Sequence, residues 1–105
     1  MNTLTKVAKL EEMITYQTGS VVSRTLINRP TGTVTLFSFD KGEGLSEHTA
    51  PYDALVYIID GEVKITIGDN EYNLKKGDSI IMPEDIPHAL QAISRFKMLL
   101  IMIRQ

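Results

Sequence analysis

The chain has 105 residues, a formal net charge of −2, a hydrophobic fraction of 43% and no cysteine. This length predicts one domain with a single core. The lack of cysteine excludes disulfides, thiolate metal sites and a cysteine nucleophile, and it makes the cytoplasm the default location. There is no basic run, so we expect no nucleic-acid partner. The longest apolar run, Met98 to Ile103, has six residues, whereas a membrane span needs roughly 20, so we expect no membrane association.

The first twenty residues differ in pattern from the rest. Apolar residues between Val7 and Ile14 recur at a spacing that suits a short helical turn or an irregular arm, and Gly19 ends this segment. The segment has no long apolar core and no small-residue cleavage site, so we expect no signal peptide. We therefore assign residues 1–20 to an N-terminal arm and residues 21–105 to the main domain.

From residue 21 onward, short stretches of β-branched and alternating residues follow one another, with turn residues every eight to twelve positions. The near-continuous apolar run at 54–59 predicts a strand that is buried on both faces. Eight or nine short strands with almost no helical period indicate an all-β sandwich or barrel. The predicted strands cover residues 21–27, 33–39, 45–48, 54–59, 63–67, 71–74, 79–82, 88–93 and 96–103.

The only two histidines of the chain lie in two stretches with a common layout of glycine turn, short strand, proline and histidine. In the first stretch, five residues separate Gly42 from His48. Ala50 and Ala54 follow, and six residues separate Ala54 from Gly61.

The second stretch runs from Gly77 through Pro83 and Asp85 to His88 and Ala92. Together, the spacings resemble the two sequence motifs of the cupin superfamily, whose first motif carries His-x-His and a glutamate and whose second carries one histidine. The resemblance covers about half of the chain by motif spacing, and the strand count extends it over nearly all of the chain. It implies a single-domain cupin barrel of the jelly-roll type.

The resemblance also implies a metal site, but with part of its ligand set replaced. Metal-binding cupins use three histidines and one glutamate. His48 matches the first ligand and His88 the last, whereas Ala50 stands at the second histidine and Ala54 at the glutamate. A divalent transition metal could use His48 and His88 as ligands, and imidazole suits zinc, copper, iron or nickel.

A third donor is needed for a useful catalytic metal site. The candidates are Glu43, Glu47 and Asp53. Strand alternation turns Glu47 away from the face that carries His48, and Asp53 away from the face that carries Ala54. The alternative that we favour is a metal-free pocket in which both histidines hydrogen-bond to neighbours, water or a ligand.

We therefore predict a pocket that centres on His48 and His88 and includes Ala50, Ala54 and Met82. Ordinary packing is the favoured role of the further candidate wall residues, which are Phe37, Tyr52 and Tyr57. The predicted function is binding of a small molecule, anionic or hydrogen-bonding, beside groups that titrate near neutral pH. The alternatives are a metal-dependent cupin enzyme, isomerase- or dioxygenase-like, and a barrel that serves dimerisation alone, in which side chains would plug the pocket.

The last predicted strand, residues 96–103, is apolar on both faces. In an antiparallel barrel one face of a strand normally meets solvent, so we expect a cover on the outer face. The N-terminal arm or a second subunit could provide it. Similarity to other small cupins points the same way, and we expect a homodimer.

Overall fold

The computed structural model of the protein describes residues 5–104. Within this range a short 3-10 helix, Leu10–Glu12, precedes nine strands. The strands are β1 (Val21–Arg29), β2 (Gly32–Phe39), β3 (Gly44–His48), β4 (Asp53–Asp60), β5 (Glu62–Ile67), β6 (Asn70–Lys75), β7 (Ser79–Met82), β8 (His88–Ala92) and β9 (Phe96–Ile103). The helical turn and the strand count agree with the sequence prediction.

The strands form two sheets that enclose one core. The larger sheet has the order β1-β2-β9-β4-β7 and the smaller one the order β3-β8-β5-β6, and all the pairs are antiparallel. Neighbours in a sheet are often distant in sequence, as in a jelly roll. The predicted all-β jelly-roll barrel is confirmed. No helix in the part of the chain that the structure describes is long and apolar enough to cross a membrane.

Alternation along β2, β4 and β9 selects the side chains that face the core. Phe39 pairs with Phe96 across β2 and β9, and their rings stack with centroids 4.4 Å apart and planes 6° apart. Both rings are fully buried. Val56 and Ile58 on β4 face the same core and are also fully buried. These side chains form one apolar core between the sheets.

The prediction that β4 is buried on both faces is wrong. Ala54, Val56 and Ile58 are buried, whereas Leu55 and Tyr57 on the opposite face are 36% and 41% exposed. The apolar run reflects a core on one side and, at Leu55 and Tyr57, an uncovered outer face on the other, whereas Ile59 on the outer face is buried. Tyr57 consequently points away from the barrel interior and is not a pocket wall residue.

The segment before β1 covers part of the outer face of the larger sheet. Ile14 packs in a cluster with Leu36 and Ile59 on that face. The buried Lys97 donates a hydrogen bond from Nζ to the carbonyl of Glu11 at 2.7 Å. The N-terminal segment, one of the two covers expected for β9, therefore covers the first half of that strand. Ile103, at the other end of β9, is 61% exposed.

Candidate functional site

The two histidines meet at one end of the barrel. His48 ends β3 and His88 begins β8, and the two residues are register partners in the smaller sheet. Their Nε2 atoms lie 3.1 Å apart, and their rings meet edge to face with centroids 4.3 Å apart. The structure thus brings the two predicted site histidines into direct contact.

Both ring tautomers are set by the backbone. Nδ1 of His48 lies 2.8 Å from the carbonyl oxygen of Ser46, and Nδ1 of His88 lies 3.2 Å from that of Ile86. A carbonyl oxygen only accepts, so each Nδ1 donates its proton. In the neutral rings, both Nε2 atoms then carry lone pairs that face each other. Such a pair attracts a proton, a hydrogen-bond donor or a cation.

The two rings differ in their exposure to solvent. His88 is 5% exposed, whereas His48 is exposed at the rim. Burial lowers the pKa of His88 below its usual 6.5, and the neighbouring His48 lowers it further, although the hydrogen bond to Ile86 acts in the opposite direction. The neutral ring is therefore favoured for His88 at neutral pH, and its Nε2 atom can accept a hydrogen bond.

A cavity of about 210 Å³ lies beside the histidine pair. All five predicted pocket residues line it, as do two of the candidate wall residues, Phe37 and Tyr52. The sequence analysis missed the other lining residues, which are Leu45, Leu90, Met98, Leu100 and Met102. Leu90, Met98 and Leu100 are buried, so much of the cavity wall is apolar. A barrel plugged by side chains would leave no such space.

An irregularity in β3 explains why Leu45 was missed. Leu45 pairs with Leu90 and His48 with His88, and the register shifts between these two pairs. Three positions separate Leu45 from His48, which in a regular strand places the two side chains on opposite faces. The shift brings both side chains to the cavity, as bulges commonly do near binding sites.

The donor set does not fit the four-ligand divalent site of metal-binding cupins. Ala50 and Ala54 replace two ligands, and both alanines line the cavity. Glu47 and Asp53 are exposed, and the Asp53 carboxylate accepts a hydrogen bond from the backbone of Glu84. Within residues 5–104, no three His, Cys, Asp or Glu side chains are grouped so that they could hold a metal ion.

One motif position keeps its backbone geometry despite a changed residue. Asp85 stands at a glycine position of the second cupin motif and has φ of 62°, in the left-handed region that glycine favours and aspartate tolerates. Its backbone N–H donates to the carbonyl of Ala50 at 2.8 Å. This bond ties the loop before His88 to the loop after His48, so the two histidine segments are held together.

The fold and the site define a class of protein: a jelly-roll barrel with a two-histidine pocket at one end. The family model described as "Cupin domain" matches residues 35–104. The chain belongs to the cupin family.

Solved structures agree with this assignment over nearly the whole chain. A conserved protein of unknown function from Streptococcus pyogenes is 39% identical, with a TM-score of 0.92, and the match covers 96% of this chain and 89% of that one. A cupin superfamily protein from Desulfitobacterium hafniense is 32% identical, with a TM-score of 0.92 and coverage of 96% and 93%. A cupin 2 conserved barrel domain protein from Leptotrichia buccalis is 43% identical, with a TM-score of 0.86 and coverage of 90% and 46%. None of the curated proteins matches.

Proposed function

We propose that this cupin binds a small, mainly apolar molecule in the cavity and holds it by a hydroxyl or N–H group that donates to a histidine Nε2 atom. The observation that carries the proposal is the position of the Nε2 atoms of His48 and His88, 3.1 Å apart, beside a cavity with a largely apolar wall. Binding sites commonly combine an apolar wall with a few well-placed polar groups.

The cavity limits the size of the ligand. Sites for drug-sized molecules measure about 300–1,000 Å³, and this cavity has about 210 Å³. Ala50 and Ala54 are the small residues that leave this space, because each stands where metal-binding cupins carry a longer side chain. A ligand the size of a single substituted ring suits such a volume.

The neutral state of His88 favours a donor over a strongly anionic group. A histidine with a lowered pKa offers a lone pair at neutral pH and carries no fixed positive charge. A ligand hydroxyl can donate to this lone pair while its apolar part packs against Leu90, Met98 and Leu100. A metal-dependent isomerase- or dioxygenase-like enzyme is the alternative, and it is less well supported because no carboxylate joins the pair among the described residues.

Methionine methyl groups provide the test. Met82, Met98 and Met102 line the cavity, whereas Met13 packs on the outer face of the larger sheet. We expect phenol to shift the NMR signals of the three cavity methyls and to leave Met13 unchanged, in buffer with a chelator. Toluene, which matches phenol in size and lacks the hydroxyl, should bind more weakly.

A double variant, His48→Ala/His88→Ala, separates the polar contact from the apolar one. A neutral hydrogen bond contributes about 0.5–1.5 kcal/mol, so the variant should bind phenol about 2- to 12-fold more weakly than the parent. Its affinity for toluene should be nearly unchanged. Absence of any shift at the cavity methyls with either probe would overturn the proposal. Equal weakening of both probes would show that the histidines do not hold the hydroxyl.

We also propose that the chain forms a homodimer through the outer face of the larger sheet. Five apolar residues lie in register across all five strands of that face, and large apolar patches commonly mark interfaces. Three of them, Ile27, Leu55 and Ile81, are 49%, 36% and 59% exposed. The complete row is Ile27, Val34, Ile101, Leu55 and Ile81.

Light scattering coupled to size-exclusion chromatography tests the dimer. The parent should elute with twice the chain mass, and a Leu55→Glu/Ile81→Glu variant with the mass of one chain. Tyr72→Glu, at an equally exposed position on the smaller sheet, should behave like the parent. A parent that is monomeric at micromolar concentration contradicts this proposal.

A further inference from the structure

One buried hydroxyl near the cavity has no hydrogen-bond partner. Oγ1 of Thr33 on β2 is buried and makes no hydrogen bond within residues 5–104, and it is the only buried side-chain oxygen or nitrogen in that range without a partner. Native proteins leave few buried polar atoms unpaired, because such an atom loses its hydrogen bonds to water without replacement. This hydroxyl is therefore a candidate contact for a molecule that the chain binds.

Strand pairing places the Thr33 side chain on the inner face of the larger sheet. β2 and β9 pair without a register shift, and Phe37, four positions along β2 and hence on the same face, lines the cavity. The register partner of Thr33 on β9 is Met102, which also lines the cavity. Directly opposed side chains in an antiparallel pair have Cβ atoms about 4.5–5.5 Å apart. The unpartnered hydroxyl consequently lies next to a side chain of the cavity wall.

Met102 is the side chain through which a ligand can reach Thr33. It pairs with Thr33 on one side and with Ala54 of β4 on the other, and it is half-buried. Methionine is unbranched and has three rotatable bonds, so it changes rotamer easily. The small side chain of Ala54, which borders the cavity, leaves space towards which Met102 can turn. Such a turn opens a path from the cavity to the Thr33 hydroxyl.

We propose that Thr33 is a second polar contact of the cavity and that the ligand is a ring compound with two hydrogen-bonding groups, one for the histidine pair and one for Oγ1 of Thr33. The inference rests on the proposed function, because it gives the same ligand a second contact and keeps the first. The two contacts differ in chemistry. Each Nε2 atom accepts a hydrogen bond from a hydroxyl or N–H group, whereas the Thr33 hydroxyl can also donate, so it suits a hydroxyl or a carbonyl.

The three benzenediols, compared with phenol, test the second contact. Catechol, resorcinol and hydroquinone carry a second hydroxyl at increasing distance from the first. In oxygen-free buffer with a chelator, we expect at least one of them to bind the parent more tightly than phenol does, as followed by the NMR signals of the cavity methionine methyls. The Met102 methyl signal should move further with that diol than with phenol, because its side chain turns to admit the second hydroxyl.

Thr33→Val removes the hydroxyl and keeps a β-branched side chain. It should bind that diol about 2- to 12-fold more weakly than the parent, as expected for one neutral hydrogen bond, and should bind phenol equally well. Because the hydroxyl has no partner in the free protein, the urea midpoint of Thr33→Val should be unchanged or higher. Thr66→Val makes the same change at a half-buried position of β5 that does not line the cavity. It should bind phenol and the diol like the parent.

The inference and the proposed function fail in different ways. If phenol binds but Thr33→Val binds every diol as well as the parent does, the second contact is overturned and the histidine contact stands. A clear fall in the urea midpoint of Thr33→Val would also overturn the inference, because the hydroxyl would then have a partner, such as an ordered water, in the free protein. If neither phenol nor any diol shifts the cavity methyls, the proposed function fails and the inference fails with it.

Discussion

At one end of the barrel interior the rings of Phe39 and Phe96 stack 4.4 Å apart, whereas the other end holds a cavity of about 210 Å³ bordered by Ala50 and Ala54. The same strands, β4 and β9, run through both ends. Strand geometry alone therefore does not create the pocket. The difference lies in side-chain volume, because the small Ala50 and Ala54 border the cavity, whereas the stacked rings of Phe39 and Phe96 fill the other end.

The packed end should be much more sensitive to truncation. Phe96→Ala removes a fully buried ring, which is the stacking partner of Phe39. Phenylalanine-to-alanine changes in a core cost about 3–5 kcal/mol, and we expect a loss in that range in urea unfolding. Ile93→Ala, at a side chain that is 40% exposed, is the control and should cost far less. Equal losses in the two variants would contradict the comparison of the two ends.

Enlarging an alanine should destabilise the packed end more than the cavity end. Ala54→Leu places its added atoms in the cavity, so stability should change by less than about 1.5 kcal/mol, and phenol should no longer shift the cavity methyls. Ala92→Leu adds the same atoms to the packed end, where Ala92 is 3% exposed in the core cluster. Overpacking there should cost about 1–3 kcal/mol. The same unfolding measurement on both variants decides the comparison, and a larger loss for Ala54→Leu would refute it.

The sequence predicted the barrel because its alternation and turns are local signals. It also predicted a shared pocket for His48 and His88, because their spacings resemble the two cupin motifs, but it did not predict the direct contact between the two rings. It did not predict Met98 and Met102 as lining residues. Both faces of residues 96–103 are apolar, so alternation alone could not tell which face looks inward. The spacing of Met98, Leu100 and Met102 does place them on one face, and strand pairing then turns that face to the core.

The sequence analysis also wrongly predicted that the outer face of β4 is buried. This error too arises from tertiary structure, which the local sequence pattern does not show. Leu55 and Tyr57 are exposed because the N-terminal segment covers only the part of the sheet near Leu36 and Ile59. An apolar side chain on an outer face looks the same in sequence whether an arm, a partner or solvent covers it. No local pattern carries that information.

The stability of the protein should depend on pH near neutrality because of His88 at the cavity end. Burial lowers the folded-state pKa of His88 below its usual 6.5, so the unfolded chain binds a proton first as the pH falls. Stability should therefore be highest above pH 6.5 and should decrease as the pH falls from there through the lowered folded-state pKa. His88→Asn should reduce this decrease in urea unfolding between pH 7 and about 5.

A matched variant shows which ring carries the effect. His48→Asn keeps the buried ring of His88 and removes only the neighbouring charge, which is a smaller cause of the shift than burial. It should retain more of the pH dependence than His88→Asn does. Identical pH profiles for the parent and His88→Asn would show that the buried ring does not govern stability in this range.

At the packed end, Asp40 should make stability depend on pH only in the acid range. We expect this to be the smallest of the predicted effects. Hydrogen bonds from the backbone of Gly19, from Arg95 and from the backbone of Lys41 hold the pKa of Asp40 at about 2, against its usual 3.8. A carboxyl whose folded-state pKa is depressed contributes stability that is complete above its unfolded pKa and is lost as the pH falls towards the folded value. Asp40→Asn should therefore flatten the stability profile between pH 4 and 2, with Asp69→Asn at an exposed turn position as the control. The effect should be small because Arg95 is half exposed and water screens its pair with Asp40. If the stability of Asp40→Asn and of the parent falls in parallel between pH 4 and 2, this contact does not stabilise the packed end.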